Sequence, residues 1–124
     1  MNYEIEVSES ERFLRLKAQG DVSVELARKW SLELKEMAHP LGITCFLFDM
    51  RIAKNVSSII DNYYFAYRDA DRLGLARNVR SAILANRADN SHNFVETTMQ
   101  NANFNVRLFN EESTAISWLE EYTH

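Results

Sequence analysis

The stretch ITCFLF, residues 43–48, followed by Asp49, is the strongest structural signal in the chain. It is short, almost wholly apolar, and rich in β-branched and aromatic residues. Such a run predicts a central strand that is buried on both faces. Pro40 and Gly42 stand just before it, and both residue types end a preceding helix. The chain is therefore expected to be built around a buried sheet.

On the N-terminal side, two shorter runs show the alternation of a half-buried strand. Residues 3–7 and 13–18 place apolar residues at every second position, which predicts two strands. The polar turn between them, residues 8–11, is short enough to predict an antiparallel hairpin. Gly20 and Asp21 are expected to end the second strand. Ser23 is then a suitable N-cap for a helix that runs to about Ala38.

On the C-terminal side, helices and strands alternate. A loop over residues 50–56 leads to a long helix from Ser58 to Leu73, and Ser58 and Asp61 have a spacing like that of a capping box. Further strands are predicted over residues 79–85 and 104–109, with a helix over 91–101 between them. Asn110 is predicted to cap a last helix, whose first turn holds two acidic residues.

The predicted order is β-β-α-β-α-β-α-β-α. This order indicates an α/β fold with a five-stranded, mixed but mostly parallel sheet and four helices, in one domain over residues 1–124. If neighbouring strands follow chain order, right-handed crossovers place all the helices on one face. The residues expected under the helices are Leu14, Leu16, Cys45, Leu47, Ala82, Leu84, Val106 and Leu108. Those expected on the opposite face are Arg15, Lys17, Phe46, Phe48, Ile83 and Arg107. The apolar members of that second set need a cover, either from this chain, from a second copy or from a ligand.

The order of elements, with Asp49 at the end of the middle strand, resembles that of SpoIIAA-like domains. These include the STAS domains (sulfate transporter and anti-sigma factor antagonist) and relatives of the CRAL-TRIO fold. The closing pattern NANFNVRLF, residues 101–109, followed by a helix that ends in Trp118-Leu119, is similar to that of small bacterial SpoIIAA-like proteins of undefined role. The resemblance implies a binding or signalling module without a cofactor.

One feature of the anti-sigma factor antagonists is missing. In that family an Asp-Ser-Ser-Gly-like sequence follows the middle strand, and its serine is phosphorylated. Here the strand ends in Asp49-Met50-Arg51, and Ser57 and Ser58 come eight and nine residues after the aspartate. The phosphorylation switch therefore does not carry over.

The loop after the middle strand is the candidate ligand-binding or anion-binding site. Ligands of open α/β sheets bind beyond the carboxyl ends of the strands, and a helix N-terminus attracts anions. The candidate residues are Asp49, Arg51, Lys54, Asn55, Ser57 and Ser58. A purely structural alternative is that Asp49 caps the loop and pairs with Arg51, while Ser58 is only an N-cap.

The long predicted helix carries more aromatic residues than one core face accepts. Tyr63, Tyr64, Phe65 and Tyr67 point in several directions because successive helical residues are about 100° apart. They are the candidate interface residues of a homodimer. Partial burial under neighbouring loops and a groove for a hydrophobic ligand are the alternatives.

Composition and motifs argue against several classes of function. The 124 residues carry a net charge of −4 without a basic stripe, which argues against nucleic-acid binding. No apolar run is long enough to cross a bilayer, and the N-terminus does not look like a signal peptide, so we expect a cytoplasmic protein. The single cysteine, Cys45, is expected to be an inert core residue. His92 opens a predicted helix near Asp89 and Glu96 and is interpreted as a surface histidine.

No catalytic, metal-binding or cofactor-binding motif is found in the sequence. We therefore expect no catalytic residues, no metal and no cofactor. The function predicted from the sequence is a non-catalytic regulatory or protein-interaction module of SpoIIAA-like type that acts as a homodimer. The alternative is a carrier or sensor of a small apolar or anionic ligand.

Overall fold

A computed structural model describes residues 2–57, 61–62, 65–69 and 78–121, without the side chains of residues 67 and 69. Five strands form one sheet in the order β1-β2-β3-β4-β5. Their bounds are β1 Tyr3–Val7, β2 Leu14–Val22, β3 Cys45–Asn55, β4 Arg80–Leu84 and β5 Asn105–Phe109. The pair β1 and β2 is antiparallel, and every other neighbouring pair is parallel. The predicted mixed, mostly parallel sheet is confirmed.

Three α-helices are counted in the described ranges, and not the four that were predicted. They are α1 Val24–Leu41, α2 Asn93–Asn101 and α3 Glu112–Glu120. The helix expected from Ser58 to Leu73 falls largely outside the described residues. Within its span, residues 61–62 are helical and Phe65–Asp69 form a π-helical segment.

Helix α1 has the N-terminal and C-terminal signals that its sequence predicts, but it ends later than predicted. The Ser23 hydroxyl accepts a hydrogen bond from the Leu26 N–H at 3.4 Å, which makes it the N-cap. Gly42 ends the helix with φ at 66°, a left-handed conformation that glycine adopts without a steric cost. Pro40 lies inside the last turn, so the helix extends three residues beyond the predicted end at Ala38.

Strands β2 and β3 are longer than predicted, and the loop expected over residues 50–56 is mostly strand. Gln19 to Val22 pair with Ile52 to Asn55 beyond a register shift. Between the pairs Lys17–Asp49 and Gln19–Ile52, β2 advances by two residues and β3 by three. The extra residue on β3 is a β-bulge. Gly20 therefore does not end β2, and Asp49 lies inside β3. The bulge falls at residues 50–51, next to the aspartate.

The predicted assignment of strand residues to the two faces is wrong for two strands, β3 and β4, and right for β2 and β5. Leu14 of β2 pairs with Phe46, and Leu16 pairs with Phe48, so these residues share a face. Helices α1 and α2 cover that face, with Trp30 of α1 against the ring of Phe48. The chain itself therefore supplies the cover that the sequence requires for Phe46, Phe48 and Ile83.

The expectation that every helix lies on one face is also wrong. Helix α3 packs on the opposite face, where Ala115 and Leu119 contact Cys45, Leu47 and their neighbours. Helix α3 does not connect two of the five described strands, so the crossover rule does not fix its side of the sheet. The fold therefore has three layers, with α1 and α2 on one face and α3 on the other.

The predicted cap of α3 is wrong as well. The N-cap position is Glu111, which makes no side-chain capping bond. The Asn110 amide instead donates to the Ala85 carbonyl at 3.1 Å. It therefore joins the ends of β4 and β5 and leaves the first turn of α3 without a side-chain cap.

Candidate functional site

A cluster of four charges occupies the α3 face where the central strand leaves the core. Asp49 is 1% exposed, yet it receives two guanidinium groups. Arg51 binds it at two points, with Nε 3.0 Å from Oδ1 and Nη2 2.8 Å from Oδ2. Arg15 donates to Oδ2 at 3.0 Å. Glu112 of α3 accepts from Arg15 at 2.7 Å and from Arg51 at 3.1 Å.

The pKa values follow from these contacts. Burial alone would raise the pKa of Asp49, but hydrogen bonds from the Arg51 side chain and backbone, and the charges of Arg51 and Arg15, hold it below its usual value. The hydrogen bond from Arg15 lowers the pKa of Glu112 more than partial burial raises it. Both carboxyl groups are thus ionised at neutral pH, and two positive charges face two negative ones.

The anion-binding role of this region stays a prediction. The structural alternative describes the geometry of Asp49 and Arg51, because the two side chains pair and the Arg51 N–H also donates to Asp49 Oδ1 at 3.3 Å. An incoming anion would have to compete with Asp49 and Glu112 for both guanidinium groups.

The other predicted site residues do not join this cluster. Lys54 is exposed. The Asn55 amide donates to the Ser91 carbonyl at 3.2 Å, and the Ser57 hydroxyl accepts from the Val24 N–H at 2.9 Å. Ser58 lies outside the described residues. The six candidates are therefore divided between the ion cluster and a separate polar group at the end of β3.

The candidate interface residues are mostly beyond what the structure describes. Tyr63, Tyr64 and the side chain of Tyr67 lie outside the described residues. Phe65 is half-buried and lines a cavity. The homodimer that these residues predicted stays a prediction.

The cavity lies between the sheet and helices α1 and α2. Its volume is about 460 Å³, within the range of roughly 300–1,000 Å³ found for small-molecule sites. The lining follows β3 from Thr44, before the strand begins, to Asn55, where it ends. Among the described residues, those with apolar side chains that form its walls include Trp30, Leu34, Phe46, Phe48, Met50, Ile83, Val95, Met99 and Val106.

One end of the cavity is polar. His92, Asn55 and Asn62 line it beyond the carboxyl end of β4. The Asn55 amide donates to Asn62 Oδ1 at 3.4 Å, and the Asn62 amide donates to the Ser57 carbonyl at 3.4 Å. These bonds join Asn62 to the end of β3, and the Asn55 amide also donates to the Ser91 carbonyl just before α2.

The expectation that His92 is a surface residue is wrong, because it is only 4% exposed. Its Nε2 lies 2.9 Å from the Ala53 carbonyl and 3.6 Å from Asp89 Oδ2. Glu96 turns away and accepts from the Leu108 N–H at 2.6 Å. In the sequence, His92 is notable because it follows Asp89 at the start of a predicted helix. Its burial could not be predicted from that position, because β3 covers His92 only where it extends to Asn55.

Cys45 is buried, as predicted for a core residue. Its thiol donates to the Leu119 carbonyl at 3.6 Å on the face opposite the cavity. Burial raises its pKa, although the charge of Arg80 and a hydrogen bond with Thr44 act in the other direction. Both features disfavour the thiolate that a nucleophile or metal ligand requires.

Among the described residues, no group of three or more histidine, cysteine, aspartate and glutamate side chains is arranged to hold a metal ion. In the same ranges, no helix combines the length and apolar character needed to cross a membrane.

Comparison with known proteins concerns the fold. No family model matches the chain, and no curated protein matches it. A solved structure that is similar over most of its length is that of an uncharacterized protein from the DUF3478 family with a SpoIIAA-like fold, from Shewanella loihica. The two are 21% identical, the match covers 94% of this chain and 91% of that one, and the TM-score is 0.55. The chain has a SpoIIAA-like fold, as its order of strands and helices predicted.

Proposed function

We propose that this chain is a non-catalytic module that binds a small apolar ligand in the cavity between the sheet and helices α1 and α2, as a carrier or sensor. The observation that carries the proposal is the cavity of about 460 Å³ with its aromatic and aliphatic walls. The cavity opens to the surface, and small-molecule sites are typically concave clefts of this size with mostly apolar walls. A space of this volume therefore favours a binding site over a packing defect.

The walls favour an apolar ligand over an anion. Three aromatic rings follow one another along the cavity. The centroid of Phe48 lies 6.4 Å from that of Trp30 and 6.5 Å from that of Phe46. Apolar contact contributes about 25 cal/mol for each Å² removed from water. The guanidinium groups of Arg15 and Arg51 lie across the sheet and are already paired.

The non-catalytic part of the proposal rests on the placement of reactive groups. Cys45 faces α3 and not the cavity. The carboxylates of Asp49 and Glu112 are both bound to arginines on that same far face. We therefore assign binding, and no reaction, to the cavity.

The regulatory or protein-interaction role, the homodimer and the cytoplasmic location stay predictions from the sequence. The aromatic side chains that suggested a dimer lie mostly outside the described residues. Phe65 is described, and it faces the cavity, which favours the alternative of a hydrophobic ligand site.

Two neighbouring residues of α1 provide a matched test. Ser31 lines the cavity, whereas Leu32 is 46% exposed and is not among the lining residues. Phenylalanine at position 31 should occupy cavity volume, and phenylalanine at position 32 should extend into solvent. The neutral apolar dye Nile red, which fluoresces on leaving water, reports occupancy.

We expect wild type and Leu32→Phe to bind Nile red with similar affinity and Ser31→Phe to bind it at least about tenfold more weakly, a loss of about 1.4 kcal/mol. Urea unfolding curves of all three proteins control for loss of structure. Equal binding by the two variants would place the dye elsewhere and contradict the proposal.

A further inference from the structure

We propose that the ligand of this cavity carries a neutral hydrogen-bond donor, such as a hydroxyl group, and that His92 Nδ1 accepts the hydrogen bond from it. This inference rests on the proposed function, since it assigns the polar part of the ligand. It adds an orientation as well, with the polar group at the carboxyl end of β4 and the apolar part along β3.

The contacts of His92 fix which ring nitrogen carries the hydrogen. Nε2 faces the Ala53 carbonyl at 2.9 Å and the Asp89 carboxylate at 3.6 Å, and both groups only accept hydrogen bonds. Nε2 must therefore be the N–H. In a neutral imidazole the other nitrogen, Nδ1, is then an acceptor.

Nδ1 lacks a hydrogen-bond donor among the described residues, and the atom itself is not fully buried. The His92 side chain is 5% exposed. Because His92 lines the cavity, a ligand group is well placed to supply the donor.

The other two polar residues at this end of the cavity, Asn55 and Asn62, already make hydrogen bonds within the protein. Asn55 donates to the Ser91 carbonyl and to Asn62, and Asn62 donates to the Ser57 carbonyl. Their hydrogen bonds hold the backbone together around the end of β3. His92 therefore differs from its polar neighbours in offering a free acceptor.

The charge near His92 favours a neutral group over a carboxylate. Burial alone would raise the pKa of Asp89, but hydrogen bonds from the Ser91 backbone and side chain, and the charge of Lys54, lower it. Asp89 is thus ionised at neutral pH and repels an anion. The N-terminus of α2 acts in the opposite direction, so the experiment includes a carboxylate.

Three probes with the same alkyl chain separate these chemistries: decanol donates a hydrogen bond, decyl methyl ether cannot, and decanoate carries a negative charge. Trp118→Phe leaves Trp30 as the single tryptophan of the chain. Trp30 is buried and lines the cavity, so its fluorescence reports binding of each probe. We expect decanol to bind about tenfold more tightly than the ether, as one well-placed hydrogen bond allows.

Two substitutions of His92 separate its two nitrogens. In His92→Gln the amide nitrogen can still donate to the Ala53 carbonyl, but the acceptor at the Nδ1 position is lost. In His92→Asn the amide oxygen takes the Nδ1 position, and the bond to Ala53 is lost. We expect His92→Gln to bind alcohol and ether equally, and His92→Asn to keep the preference for the alcohol while unfolding at lower urea concentration.

Other results would contradict the role of Nδ1, the neutral donor or the cavity site itself. Equal binding of alcohol and ether by wild type, or a preference that persists in His92→Gln, overturns the role of Nδ1 and leaves the apolar site intact. Tighter binding of decanoate than of decanol overturns the neutral donor in favour of an acid. A failure of all three probes and of Nile red to bind overturns the proposed function together with this inference.

Discussion

Arg51 binds the carboxylate of Asp49 at two points, with Nε 3.0 Å from Oδ1 and Nη2 2.8 Å from Oδ2. The β-bulge in β3 separates the two residues and turns Arg51 back toward the aspartate. Arg15 of β2 and Glu112 of α3 complete the cluster. Charges from three elements are thus joined on the α3 face, and the opposite face is left to the cavity.

Asp49→Asn should destabilise the fold by about 3 kcal/mol, because it removes one partner of a buried ion pair and leaves Arg15 and Arg51 with one carboxylate between them. Urea unfolding at neutral pH measures the change. The matched control is Glu111→Gln, since Glu111 is 67% exposed and lies 4.0 Å from an Arg87 that is 79% exposed. Its cost should be below about 0.5 kcal/mol. Similar costs for the two variants would show that the cluster contributes little.

The same cluster predicts the response of stability to acid. The pKa values of Asp49 and Glu112 are both lowered in the folded state, so their stabilisation is fully present above the ordinary carboxyl values of 3.8 and 4.5 and is lost as the pH falls through the lower, folded values. The difference in unfolding free energy between wild type and Asp49→Asn should therefore narrow below about pH 5. A difference that stays constant down to about pH 3 would contradict these pKa directions.

Glu112→Gln should produce an anion-binding site that wild type lacks. The substitution leaves Arg15 and Arg51 facing the single charge of Asp49, because Glu112 now accepts from both at 2.7 and 3.1 Å. Thermal unfolding in sulfate, compared with chloride at equal ionic strength, should show extra stabilisation of the variant only. Sulfate stabilisation of wild type to the same extent would instead support the anion site predicted from the sequence.

Cys45 should be unreactive in the folded protein. It is 3% exposed, its thiol bonds to the Leu119 carbonyl, and burial raises its pKa. A disulfide reagent such as dithionitrobenzoate should modify it only at the rate of unfolding, and fully in urea. Rapid labelling of the folded chain at neutral pH would contradict this packing and reopen a role for the thiol.

The order of the elements could be predicted because it depends on local pattern. Residues 43–48 read as a buried strand, residues 3–7 alternate with period two, and Ser23 and Gly42 are strong signals for the ends of a helix. Each of these signals lies within a few residues of the element it defines. The mixed, mostly parallel sheet followed from the alternation of strands and helices, and the structure also meets the condition that neighbouring strands follow chain order.

The faces of the sheet could not be predicted in the same way. Residues 45–48 are apolar on both sides of the strand and do not alternate with polar residues. The sequence therefore does not indicate which of them share a face with Leu14 and Leu16. Register depends on pairing between distant strands. The extension of β3 to Asn55 was missed because Arg51 and Lys54 look like loop residues, although their backbone continues to pair with β2.

The candidate site was only partly accessible to sequence reasoning. Asp49 and Arg51 were identified because they follow the central strand, and their pairing was one of the two alternatives. The need to cover Phe46 and Phe48 pointed to a ligand among other choices. The cavity itself depends on the spacing between α1, α2 and the sheet, and the burial of His92 depends on the length of β3. Neither that spacing nor the length of β3 can be predicted from a local sequence pattern.

A native mass spectrum of the protein exposed to decanol is the sharpest test of ligand binding in the cavity, because it counts bound molecules and chains together. Binding in the cavity predicts one bound decanol per chain for wild type and Leu32→Phe, and a much smaller bound fraction for Ser31→Phe, whose added ring takes up part of the cavity. Wild-type protein without added mass, above all as a bare dimer, would contradict the account and favour the interaction module predicted from the sequence. The same adduct on Ser31→Phe would show that decanol binds outside the cavity.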